Sequence, residues 1–189
     1  MKIQNKNTNT SFGKTQVMQC QMKKKSEQEK INATLYKMDL KNGNDLNEMK
    51  YSKTAKWLYP DATTDSAYPH ENRSYYLLQE DKTGEVISCI STSKHFRRGE
   101  DNKSGQYILI DGFAQNYKYL NPSEPLFAFV ADNAIKHYSK NIIVGTSDLE
   151  DETLKKARFT RTKNGEWYMP EKRFTDIIDR AEKRYNMTI

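Results

Sequence analysis

Asp111 stands between Ile110 and Gly112 in the run Tyr107 to Phe113, a carboxylate inside an otherwise apolar, strand-like segment. An ionised carboxylate in such a setting is costly to bury unless it is paired, so Asp111 is either functional or hydrogen-bonded at a strand end. His95 lies at the end of the preceding strand, close to Arg97 and Arg98. A catalytic base needs a pKa near working pH, which an Asp reaches through burial and a His has unaided. In that polar setting His95 reads first as a surface histidine. Gly112 permits either an ordinary bulge or the close approach of a ligand. His70, His95 and His137 are too scattered for a metal site, and Cys20 and Cys89 are too few for a four-cysteine zinc site or a disulfide scaffold. No metal is assigned.

The chain that must position these groups has 189 residues, with 31 basic and 25 acidic side chains and a net charge of +6. That length suits one domain with some tail. Only 35% of the residues are hydrophobic, but 21 of them are aromatic and bury large areas, so a core forms and wholesale disorder is excluded. No apolar run reaches the roughly 18 residues of a membrane span, and the N-terminus has no apolar signal core. These features predict a soluble, cytoplasmic protein. Residues 1–30 hold seven Lys and two Glu, which leaves the other 159 residues at +1. Order is expected to begin near Ile31, with residues 1–30 a flexible basic leader or an electrostatic tether. No Arg-rich stripe with interleaved aromatics occurs, so nucleic acid has no support beyond that leader.

Alternation predicts a strand over Thr34–Leu40, and Asn42-Gly43-Asn44 a turn after which Asp45 caps a helix to about Leu58. Residues 59–72 have two prolines and no period, and read as a long connection of the kind that often lines a site. Ser74–Gln79 and Glu85–Ser91, joined by Asp81-Lys82-Thr83-Gly84, form an antiparallel hairpin. The polar loop 97–105 leads to the strand Tyr107–Phe113. Asn121-Pro122-Ser123-Glu124 then opens a helix to about Lys140, with Asn121 and Ser123 as competing caps. Ile142-Ile143-Val144 is a buried strand. Ser147-Asp148 caps a short helix to Ala157. A closing hairpin over 158–169 and an amphipathic helix, Phe174 to Tyr185, complete the pattern.

This order resembles the GCN5-related N-acetyltransferase (GNAT) superfamily over about residues 31–170, with 171–189 as an added C-terminal helix. Asp45-Leu46, Thr83-Gly84-Glu85-Val86-Ile87 and Ala157-Arg158-Phe159 sit where the family places similar residues. The resemblance implies an α/β fold, a mixed and mainly antiparallel sheet flanked by helices. It also implies an acyl-CoA-dependent N-acyltransferase, with acetyl-CoA as donor and an amine as acceptor. The family's pyrophosphate loop is Arg or Gln, two residues, Gly, one residue, Gly or Ala. Its small residues let backbone amides at a helix N-terminus approach phosphate. Here Lys118-Tyr119-Leu120-Asn121-Pro122-Ser123 keeps the spacing and loses the glycines. The implied cofactor contacts are Lys118, Tyr119, Leu120, Asn121 and Ser123, with Phe113 and Ala114 holding the pantetheine arm and polarising the thioester. Asp111 or His95 would be the base. The Tyr that many members use to protonate the leaving thiolate is replaced by Leu154, which cannot donate a proton. That departure, with Pro122 and Pro125, keeps open a second reading, a GNAT-like binding protein without catalysis.

Overall fold

A computed structural model describes residues 13–67, 72–97, 105–145 and 151–189. The strands are β1 (Thr15–Lys23), β2 (Lys30–Lys37), β3 (Arg73–Glu80), β4 (Val86–Arg97), β5 (Gly105–Gln115), β6 (Asn141–Val144), β7 (Thr160–Arg161) and β8 (Trp167–Pro170). The helices are α1 (Gly43–Tyr51), α2 (Tyr59–Ala67), α3 (Glu124–Lys136), α4 (Asp151–Lys156) and α5 (Phe174–Tyr185), with a 3-10 turn at Ala55–Trp57. One sheet runs β1-β2-β3-β4-β5-β6-β8-β7, and every pair is antiparallel except β5–β6. It is the mixed, mainly antiparallel α/β architecture expected.

Strand alternation divides the apolar residues between two cores. On one face Leu35, Leu78, Ile90, Ile108 and Ile110 pack with Phe127, Val130 and Ala134 of α3 and with Phe174 and Ile177 of α5. On the other, Tyr75, Leu77 and Cys89 pack with Met49, Ala55, Leu58 and Ala62, from α1, the 3-10 turn and α2. Burial pushes both thiols, Cys20 and Cys89, up to about 12, which leaves them inert.

Several expectations need correction. Order starts well before Ile31: Thr15–Lys23 is a strand antiparallel to β2, and Met18, Cys20 and Met22 alternate into the core. Their apolar side chains are separated by Gln19 and Gln21 on the opposite face, so the composition hid a strand. Residues 59–67 are helical rather than a loop, anchored by buried Ala62 and Asp65, while the Thr63 and Thr64 hydroxyls bond the carbonyls one turn back. Thr, Ser and Asp favour local backbone bonds, and so masked the helical signal. The first helix is capped by Asn42, and Asp45 instead accepts the Asp39 amide at 2.8 Å. It also ends at Tyr51. Ser123, not Asn121, is the N-cap of α3, and Asn121 adopts a left-handed φ of 46°. The proposed Ser147-Asp148 cap and most of the 97–105 loop lie outside the described residues.

The segment after β8 belongs to the same body. The Arg184 guanidinium donates to the Glu124 carboxylate at 2.7 and 2.9 Å, Tyr185 also donates to it, and Thr188 and Gln19 exchange two backbone hydrogen bonds. The C-terminal helix thereby ties the start of α3 to the edge strand β1.

Candidate active site

The β4–β5 ladder slips by one residue: Ser91 faces Gly112 and Thr92 faces Ile110, so Asp111 has no partner. This is a bulge, which bends a strand and re-aims a side chain. Gly112 is needed there because a β-carbon would lie 2.6 Å from Leu58 Cδ2 and 2.9 Å from Ser91 Oγ.

Asp111 joins a polar network laid across three strands. Arg73 Nε of β3 is 3.7 Å from Asp111 Oδ2, and its Nη1 donates to Asp65 of α2 at 3.3 Å. Tyr75 donates to the same Asp65 oxygen at 2.7 Å. Ser93 Oγ and His95 Nε2 lie 2.7 Å apart. Among the described residues Asp111 Oδ2 and Ser91 Oγ are buried without a hydrogen-bond partner. Burial is the largest influence on Asp111 and raises its pKa, against the lowering effects of the Ser93 hydroxyl, Arg73 and His95. The Tyr75 phenol is raised too, by burial and then by its bond to Asp65. His95 is on β4 opposite Tyr107, stacked on its ring at 5.4 Å, with its own side chain exposed.

Beyond this bulge the sheet opens. Pairing of β5 with β6 stops at Ile110–Val144, followed by one last bond from the Gly145 amide to the Ile110 carbonyl at 3.0 Å. The edge of β5 from Asp111 to Gln115 therefore has no strand partner on that side among the described residues. A groove of about 990 Å³ lies against residues 113–118 and against Lys53, Thr54, Trp57 and Glu85. Phe113 and Ala114 line it, as does Lys118, while the Phe113 ring also stacks on Phe127 at 5.5 Å.

The loop before α3 is held differently from an amide cradle. The amides of Lys118, Tyr119 and Leu120 bond Asn116 Oδ1, the Asn116 carbonyl and the Lys23 carbonyl at 3.1, 3.2 and 2.8 Å. Pro122 has no amide, and Glu124 N bonds the Asn121 carbonyl. Among the described residues only Asn121 and Ser123 of this stretch keep amides without such a bond. Tyr119 is wholly buried, its phenol 2.9 Å from Glu80 and 3.0 Å from Glu85. Ser123 is buried and Leu120 is partly exposed. Lys118 reaches Glu85 at 3.2 Å and remains 71% exposed. Leu154 is buried, so no phenol stands at that position.

The structure thus brings Asp111 and His95 together through Ser93, and Phe113, Ala114 and Lys118 along one groove. It does not bring Tyr119, Leu120, Asn121 and Ser123 into that lining. Sequence reasoning missed Arg73, Asp65 and Tyr75. It also missed Ser91 and Ser93, which share a face with His95 through the period of two in Ser91-x-Ser93-x-His95.

No protein-family model matches the chain, and no curated protein matches it. Solved structures do. A point mutant of the toxin AtaT, bound to the C-terminus of the antitoxin AtaR and acetyl-CoA, is 12% identical with a TM-score of 0.53, over 78% of this chain and 98% of that one. A predicted acetyltransferase from Clostridium acetobutylicum with acetyl-CoA is 16% identical, TM-score 0.50, over 69% and 92%. An arylalkylamine N-acetyltransferase assignment from the yellow fever mosquito is 9% identical, TM-score 0.52, over 82% and 94%. The chain has the fold of the GNAT acetyltransferases. Among the described residues no helix is long and apolar enough to cross a membrane.

Proposed function

We propose that this protein is an acyl-CoA-dependent N-acyltransferase that moves an acyl group, acetyl in the simplest case, from the thioester to an amine. The observation that carries this reading is Asp111, held in the β5 bulge with one buried, unbonded carboxylate oxygen at the start of an open strand edge. The likeness to structures containing acetyl-CoA supports it.

The residues fit the donor unevenly. The unpaired edge of β5 along Phe113 and Ala114 suits the amide-rich pantetheine arm. Backbone amides there would polarise the thioester carbonyl and stabilise the oxyanion. The pyrophosphate has no amide cradle to enter, so Lys118 and Lys53, which line the groove, would have to hold it by charge. When bound, the donor supplies the acyl group and a thiol leaving group. Asp111 accepts the amine proton, and its raised pKa makes it a better base than an ordinary carboxylate. Ser93 and exposed His95 offer that proton a route to solvent. Arg73, itself held by Asp65, faces Asp111 and keeps it in place.

A second reading, a GNAT-like binding protein without catalysis, is favoured by the spent amides of residues 118–120 and by Leu154. A thermal-shift titration with acetyl-CoA, with free CoA and a salt-matched blank, separates the two. A ligand at about a hundred times its Kd stabilises the native state by about 2.7 kcal/mol. A saturable rise in Tm that Lys118→Glu abolishes is expected. No rise up to about millimolar acetyl-CoA, where even a weak Kd corresponds to about 4 kcal/mol of binding, would retire the acyltransferase.

A further inference from the structure

A second cavity, of about 380 Å³, lies on the opposite face of the sheet, beneath the C-terminal half of α3. Its floor is apolar: Val17, Tyr76, Ile108 and Phe129, with the Tyr76 and Phe129 rings edge to face at 5.0 Å. Its rim is cationic, and the charges come from three separate elements. Lys37 projects from β2, Lys94 from β4, and Lys136 and His137 from the end of α3.

The charges do not cancel. Asp132 pairs with Lys136 at 2.6 Å. The carbonyl end of α3 contributes about half a negative charge. Among the described residues Lys37 and Lys94 have no carboxylate side chain as partner, and the cavity lining holds none, although the last residue, Ile189, also lines it. The nearest polar partner of Lys94 is His137 Nε2, 2.8 Å away. Burial, then Lys94 and Lys136, hold the His137 pKa below its ordinary value, so His137 accepts from Lys94 rather than repelling it. Burial and then Lys37 lower the pKa of Lys94 itself. Two ammonium groups without a carboxylate side chain beside them are therefore gathered over a half-apolar cavity.

We propose that this cavity binds a small organic phosphate monoester, its phosphoryl group between Lys37 and Lys94 and its apolar body on Tyr76 and Phe129. A phosphate monoester carries about −1.5 to −2 near neutral pH, of the sign that two neighbouring ammonium groups attract. Asn72, Asn133 and Ser74 around the cavity supply further hydrogen-bonding groups. The cavity is separate from the groove at residues 113–118 and shares no lining residue with it.

Calorimetric titration of the full chain with phenyl phosphate tests this. Saturable binding is expected, tighter than for inorganic phosphate at matched ionic strength because only the ester reaches the aromatic floor. The double variant Lys37→Gln/Lys94→Gln should weaken it by about tenfold or more. Lys163→Gln/Lys172→Gln, which removes the same net charge elsewhere, should leave it unchanged. The proposal is overturned by the absence of saturable binding, by equal affinity for inorganic phosphate, or by equal loss in both double variants. Both rim lysines are exposed, so the variants fold, and equal melting curves verify that.

Discussion

The bulge at Asp111 makes opposite demands on stability and chemistry. Its carboxyl pKa is raised by burial, so the ionised form is penalised in the folded state. That penalty is absent below the ordinary value of 3.8 and grows as pH rises through the raised value. Asp111→Asn should therefore keep or raise Tm near neutral pH and lose that advantage in acid. Transfer to amine should fall by about 10² to 10⁴, the usual contribution of a positioned base. A variant that melts earlier at neutral pH would mean the Arg73 pairing outweighs burial. The neighbouring residue obeys packing alone. Gly112→Ala drives a methyl group into Leu58 and should cost about 1–3 kcal/mol. Leu58→Ala opens that space, so the double variant should lose less than the sum of the two, as a chemical-denaturation cycle would show.

At the scale of elements, a single phenol welds three of them. Tyr119, in the loop before α3, stands between Glu80 at the end of β3 and Glu85 before β4, while Lys24 past β1 reaches Glu80 at 3.0 Å. Tyr119→Phe removes the shared donor and should destabilise by about 1–3 kcal/mol, read from urea midpoints. β1 is the other element with consequences. Met22 is wholly buried, and Met22→Ala should cost about 2–5 kcal/mol. Deleting residues 1–30, and β1 with them, should unfold the chain. A cooperative, unshifted transition in that deletion would show β1 to be dispensable.

For the whole molecule, pH reads the sum of these groups. Burial alone would raise Glu80 and Glu85, but hydrogen bonds from Lys24 and Tyr119 to the first, and from Tyr119, Lys118 and Asn116 to the second, hold both below the ordinary 4.5. A lowered carboxylate contributes stability that is present above its unfolded value and is lost as pH falls through its folded one. The molecule should thus lose stability on acidification below about 4.5, partly offset by relief of Asp111. Tyr119→Phe should flatten that acid limb in a Tm series, and an unchanged slope would count against the network.

Local chemistry was legible along the chain wherever a period or a cap was strong. The hairpin of β3 and β4, the helix Phe174–Tyr185 and the strand Ile142–Val144 followed from alternation, helical spacing and bounding turn residues. So did the suspicion that falls on Asp111, because a lone acid among apolar neighbours has no local explanation. What the chain could not reveal depends on contacts between distant segments. Lys118 and Tyr119 matched a phosphate loop by spacing, yet Glu80, Glu85 and Lys23, remote in sequence, claim Tyr119's phenol and the Leu120 amide. Arg73 and Ser93 reach Asp111, and Asp65 reaches Arg73, only because α2, β3 and β4 meet there. Spacing determines which way a side chain points along its own element, while the tertiary fold decides what it meets there.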